Sequence, residues 1–329
     1  MHDDDARVDV VDAPLPPLAA VCAVDVAAAV TSAAIIAPFI TLVDKAVVQS
    51  AAGVATLSQA LATSAKELIT RPHVFVRRPE VALVAGVYAS TYAAANLTDS
   101  ICDRVYDEAD TNSASKREVA RFATTTATNM TAILLKDAAF AKLFGKAATG
   151  VAPPVPLACY ALFATRDCAT IASAFTVPRA LAPVLSGAMG MPPSEAQKII
   201  QVASPIASQI VCTPIHLLAL DVYNRPDATK GLSRFATVAK QSASTTLARM
   251  GRMAPAYGLG GITNTYLTLK GHDYLHDVAQ RKAEDALREE TRRQAEEHAR
   301  QGKGADKLRR TQSTVSPKKT ITRKQSFTM

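Results

Sequence analysis

TLVDKAVVQ (residues 41–49), ILLKDAAFAK (133–142) and LLALDVYNR (217–225) are three versions of one arrangement. In each, a long apolar run ends at an aspartate: Asp44, Asp137 or Asp221. A short amphipathic stretch follows, and then another apolar run. The aspartates are 93 and 84 residues apart. A spacing kept over that distance marks an internal repeat, and repeats constrain architecture more than single motifs do. The arrangement predicts an all-α membrane protein with six transmembrane helices in three pseudo-repeats, about 20–102, 117–178 and 199–272.

Working outward, residues 26–43, 81–98 and 199–220 carry no formal charge at neutral pH. A helix crosses the hydrocarbon core of a bilayer in roughly 20 residues, so each is long enough to span. Residues 119–135, 154–178 and 254–269 are weaker: Thr-rich with Arg121, interrupted by Arg166 and Asp167, and Gly-rich, respectively. The repeat places a span at each. Their small residues suit close helix packing in lipid. After each aspartate an apolar stripe recurs at helical spacing. The stripes are Leu57, Leu61, Ala65 and Leu68; Phe140, Leu143, Phe144 and Ala147; and Leu232, Phe235, Ala236, Ala239 and Met250. Such stripes predict amphipathic helices lying in the membrane interface. The connections after the aspartates are rich in Lys and Arg, with Lys136, Arg249 and Arg252 counted among them, and this puts all three on one side of the membrane.

Composition narrows the function classes. Of the net charge of +8, +6 falls in residues 270–329. A basic tail on a membrane core points to anionic lipid as a partner rather than nucleic acid. The five cysteines form no CxxC pair and have no His at ligand spacing, so neither a metal site nor a disulfide framework is expected. There is no P-loop, no GxGxxG and no nucleophile elbow, so no cofactor and no enzyme activity are expected. The acidic start MHDDDARVDVVD matches neither a secretory signal nor a cleavable presequence. Expected boundaries are an acidic tail over 1–16, the membrane domain over 17–272, a charged helix over 273–300 and a disordered basic tail over 301–329. In the tail, Ser313 after RRTQ and Ser326 after RKQ are candidate phosphorylation sites.

The three aspartates, with Pro38 six residues before Asp44 and Pro214 seven before Asp221, resemble the mitochondrial carrier fold. In that family each odd helix carries Pro-x-[Asp/Glu]-x-x-[Lys/Arg], and its charges pair into a gate. Here Val47, Phe140 and Asn224 stand where the cations would be. Segments such as KELITRPHVFVRRPEVALVAGVYASTYAAANLTD, ATRDCATIASAFTVPRALAP and LARMGRMAPAYGLGGITNT are also similar to a fungal family of mitochondrial membrane proteins without an assigned activity. These resemblances imply a carrier-like core, a mitochondrial membrane, inner rather than outer, and a gate at Asp44, Asp137, Asp221, Pro38 and Pro214.

Charged residues inside a span are costly and often functional. Arg166 and Asp167, together with Asn96 and Asn264, are candidates for an intramembrane polar site. Asp167, Asn96 and Asn264 fall at comparable depth, seven, eight and seven residues after Tyr160, Tyr88 and Tyr257. Two functions are open at this point: transport of a small anionic or polar solute, or a non-transporting scaffold or assembly factor whose partner is another protein.

Overall fold

The structure, a computed structural model, describes residues 15–106, 113–145, 153–226 and 232–313. Among these residues there are helices and no strands. They divide into two compact units, Pro17–Asp273 and a second formed by the terminal segments.

Helix α1, Leu18–Ala51, begins directly after Pro17 and contains the uncharged stretch 26–43. At 1.5 Å per residue its 34 residues reach ~50 Å, more than a bilayer core requires. Its buried face is built from Ala28, Ala29, Ala33, Ile36, Ala37 and Ile40. Helix α2, Leu57–Thr70, is the amphipathic helix of the first repeat. It starts with a capping box in which Thr56 Oγ1 accepts from Gln59 N–H and Gln59 Oε1 accepts from Thr56 N–H. A single turn, α3 (Pro72–Phe75), buries Phe75 and leads into α4, Pro79–Val105. Pro79 suits the first turn of α4, where its missing N–H has no helical acceptor. Helix α5 is Ser113–Phe144, and α6 is Leu157–Met189. Gly190, at φ +64°, provides the left-handed residue that stops α6.

Helices α7 (Pro193–Ala207) and α8 (Gln209–Asn224) are one apolar rod broken at Ser208, with Pro205 before the break and Pro214 beyond it. Helix α9, Leu232–Met253, passes through a π-helical segment, Ala254–Gly260, into α10, Gly261–Ser313. The second repeat's stripe is therefore the end of α5, with Ala147 outside the described residues. The third stripe is part of a rod that runs on into the bundle. Helix α10 also continues past residue 300 to Ser313. Ser326 lies outside the described residues, as do residues 1–14 and 314–329.

The surface of the bundle is inverted relative to a water-soluble protein. Val26, Val30, Ile35 and Phe39 on α1, Val202, Ile210 and Val211 on α7–α8, and Ile262 and Leu269 on α10 are exposed. Asp25, Asp44, Asp137, Arg166, Asp167, Arg249 and Arg252 are buried. Soluble proteins almost never bury so many charges while exposing apolar helix faces. Helices Leu18–Ala51, Pro79–Val105 and Pro193–Asn224 are long and apolar enough to cross a membrane.

Candidate functional site

Two polar layers lie at opposite ends of the α1/α4 pair, with a cavity between them. The first layer starts at Asp44, on the buried side of α1. Lys136 Nζ on α5 donates to Asp44 Oδ2 at 2.5 Å, and Arg252 Nη1 on α9 donates to Asp44 Oδ1. The same Lys136 ammonium lies 2.7 Å from Asp137 Oδ1, and Arg166 Nη1 on α6 lies 2.7 Å from Asp137 Oδ2. Arg166 turns its remaining donors onto Asp167 Oδ1, with Nε at 2.9 Å. Its Nη1 also meets Nδ1 of His216 on α8 at 3.0 Å. An arginine only donates, so His216 accepts through Nδ1 and carries its proton on Nε2. Four rods are thus tied by one chain of alternating charge. Buried ion pairs of this kind persist only when each charge is matched.

The cations of this layer come from places the carrier pattern does not use. Val47 and Phe140, three residues after Asp44 and Asp137, pack in the apolar core. Lys136 precedes its aspartate, and Arg252 comes from the far end of the chain. Lys136, Arg249 and Arg252, taken from sequence as loop charges, are buried. The signal for the two arginines was present: Arg249, Arg252 and Ala256 recur at spacings of three and four, one helical face leading into the last apolar run.

Asp221 stands apart. It accepts from Arg225 Nε at 2.6 Å, one turn on in sequence, and from Arg234 Nη1 on α9 at 2.8 Å. Pro38 is buried inside α1 and Pro214 lies inside α8. Of the three aspartates, Asp44 and Asp137 meet through Lys136, whereas Asp221 holds α8 to α9.

The second layer joins α1, α4 and α10. Asn96 and Asn264 bond reciprocally, Nδ2 to Oδ1, at 3.1 and 2.9 Å. Asn96 Nδ2 also reaches Thr268 Oγ1 and the Asp25 carbonyl. The Asp25 carboxylate, fully buried, accepts from Ser100 Oγ at 2.6 Å, and its other oxygen lies 2.8 Å from His272 Nε2. Asp25 lies about two turns inside α1, and its partners come from helices far along the chain.

Between the layers lies a cavity of about 400 Å³. Its charged end is formed by Arg166, Asp167, Arg249 and Arg252, with Gln209, all buried. Its walls carry Tyr88 and Tyr92 of α4, Thr125, Thr126 and Asn129 of α5, and Thr170 of α6. Tyr92 Oη donates to the Ala256 carbonyl in the π-helical segment, which forms one side. The opposite end reaches Gln201 and Val202 on α7, where Val202 is 62% exposed. The charged residues close the cavity at one end, and the exposed Gln201 of α7 lines the other. Arg166 and Asp167 line it; Asn96 and Asn264 do not.

Several polar atoms at the cavity have no partner. Asp167 Oδ2, Arg252 Nε and Thr125 Oγ1 accept and donate nothing. Arg249 donates from Nε to Gln209 Oε1 at 3.1 Å, and no carboxylate among the described residues lies within ion-pairing distance of it. Buried polar groups are nearly always satisfied, so unmet valences on several residues that line one cavity point to a polar ligand there. Among the described residues, no cluster of His, Cys, Asp and Glu is arranged to hold a metal ion.

Residues 28–270 match a family described as Probable citrulline exporter. The chain belongs to that family. It is a membrane protein of the transporter class rather than an enzyme. No curated protein and no solved structure matches the chain. The family match corrects the resemblances drawn from sequence: the chain is not placed in a mitochondrial carrier family, nor in a mitochondrial family without activity. The charge pattern gives the physical reason. The carrier signature pairs each acid with a cation one turn further along the odd helices, and this chain builds its layer from Lys136, Arg166 and Arg252 instead. The match supports a membrane and an export role, and no organelle.

Proposed function

We propose that the protein exports a small carboxylate-bearing solute, an amino acid of the citrulline type, through the cavity between its two polar layers. The observation that carries this reading is Arg249. Arg249 is 3% exposed, lines the cavity and has no acidic partner among the described residues. An uncompensated cation inside a membrane protein is costly and is kept where a ligand or ion completes it. A carboxylate is the complement, since arginine binds it through paired N–H donors. The description of the family supplies citrulline as the solute. Its ureido group is neutral and rich in donors and acceptors, as are the Thr, Asn and Tyr side chains of the walls.

In this reading α1, α4, α5, α6, α7–α8 and the π-helical segment with the start of α10 make six crossings in three pseudo-repeats. Residues 17–272 form the transport domain, bounded by membrane lipid. The Asp44–Lys136–Asp137–Arg166 layer is the barrier at one end, and rearranging its ion pairs would open it. The solute then passes from one face to the other without a continuous pore.

Proteoliposomes loaded with citrulline provide the test. The wild type should exchange radiolabelled citrulline, and Arg249→Gln should lower the rate by about tenfold or more, the loss expected for one charge-assisted contact. A wild type that exchanges no citrulline, or an Arg249→Gln protein that exchanges it at full rate, overturns the proposal.

A further inference from the structure

The cavity is unbalanced in a way that speaks to selectivity. Arg166, Arg249 and Arg252 line its charged end, and Asp167 is the one acidic residue among the lining residues. Asp167 uses Oδ1 for Arg166 and leaves Oδ2 free, although the residue is only 4% exposed. The remaining polar groups of the walls, among them Thr125, Asn129 and Gln201, are neutral. Asn129 Oδ1 already accepts from Thr91 Oγ1 at 3.2 Å.

We propose that Asp167 Oδ2 is the cavity's single ammonium acceptor, and that the site therefore takes amino acids with neutral side chains and refuses those with a second cation. This rests on reading the cavity as the solute path. The α-carboxylate pairs with Arg249 and the α-ammonium with Asp167. The side chain lies along the neutral wall toward Gln201. A ureido group is hydrogen-bonded there at no electrostatic cost. The ammonium of ornithine would face the same wall with no carboxylate left to meet it and three guanidiniums across the cavity. A 2-oxo acid fails in the opposite sense: it satisfies Arg249 and leaves Asp167 Oδ2 bare. Sites that pair a specific polar group reject analogues lacking it far more strongly than apolar sites reject a size change.

Two measurements on the full-length protein separate this inference from the export reading. Calorimetric titration in detergent compares citrulline, ornithine and the 2-oxo acid of citrulline as probes. Exchange in proteoliposomes is measured in parallel. Citrulline should bind at least about tenfold more tightly than either analogue. Asn129→Asp and Gln201→Glu each add a carboxylate to the neutral wall and should raise ornithine affinity relative to citrulline by about tenfold. Gln201 is exposed, so its variant tests the idea even if Asn129→Asp fails to fold. Equal binding of citrulline and ornithine by the wild type, or an unchanged ratio in the folded acidic variants, overturns the inference. If citrulline is exchanged while the binding ratio is near one, the export reading stands and this inference falls. If the ratio holds and nothing is exchanged, the export reading falls and this one stands. If nothing binds, both fall.

Discussion

Arg249 sets stability against function. A buried cation without an acid costs folding free energy, whatever it does for a ligand. Arg249→Gln should therefore raise the protein's stability while weakening citrulline binding by about tenfold or more. Thermal unfolding followed by tryptophan-independent dye fluorescence would read this, since the chain has no Trp. The aspartates should divide. Asp44→Asn leaves Lys136 and Arg252 facing a neutral amide, a loss of about 3–5 kcal/mol for a broken buried pair. Asp221→Asn should cost clearly less, because its partner Arg225 is one-third exposed and can turn to solvent. Arg166 and Asp167 were legible from sequence because charge stands out inside an apolar run. Arg249 and Arg252 were not, because they follow a basic stretch and look like its continuation. Only their helical phase, carried through into the last apolar run, sets them inside. Asp25 was missed for a related reason: its partners Ser100 and His272 are distant in sequence, and nothing local announces them.

At the scale of elements, spans were easier to place than their ends. Uncharged runs located α1, α4 and α7–α8 directly, because lipid selects for such runs. Sequence ended the fourth span at residue 178, where α6 in fact continues to Met189 and turns within a few residues at Gly190. Pro178 and Pro183 lie inside α6 without ending it. A proline stops a helix mainly through its neighbours' loss of hydrogen bonds, and packing inside a bundle compensates for that loss. The π-helical segment had no sequence signal beyond its glycines, and it offers a sharp test. A Cβ at Gly260 would collide with Tyr92 Oη and come within 2.7 Å of Ile36 Cδ1, whereas one at Gly258 would meet nothing within 4 Å. Gly260→Ala should break the Tyr92–Ala256 bond, lower the unfolding temperature by several degrees and slow exchange; Gly258→Ala should leave both near wild type.

At the scale of the molecule, burial of charge and exposure of apolar faces identified the medium before any comparison did. The cavity runs from buried arginines to the exposed Gln201 of α7, and this grading predicts access from one face. In a cysteine-free background, Gln201→Cys should react with a membrane-impermeant thiol reagent from one face only, and citrulline should slow the reaction. Labelling from both faces at equal rates would mean that the charged layer does not seal the other end. The three aspartates recur in the sequence in one arrangement, yet their chemistry is not equivalent: two share a lysine, and the third is served by its own neighbourhood.

The ion pair between Asp44 and Arg252 closes a sequence interval of 208 residues, and the contact between Asp25 and His272 one of 247. Order of synthesis turns these numbers into a constraint on birth. The first helix leaves the ribosome carrying two acids whose counter-groups have not yet been made. Until α9 and α10 emerge, α1 holds charge that lipid rejects, so it waits in a hydrated or chaperoned setting and is completed last. Nascent chains halted before residue 252 should stay extractable and be cleared quickly, whereas those that include residue 272 should become resistant in one step.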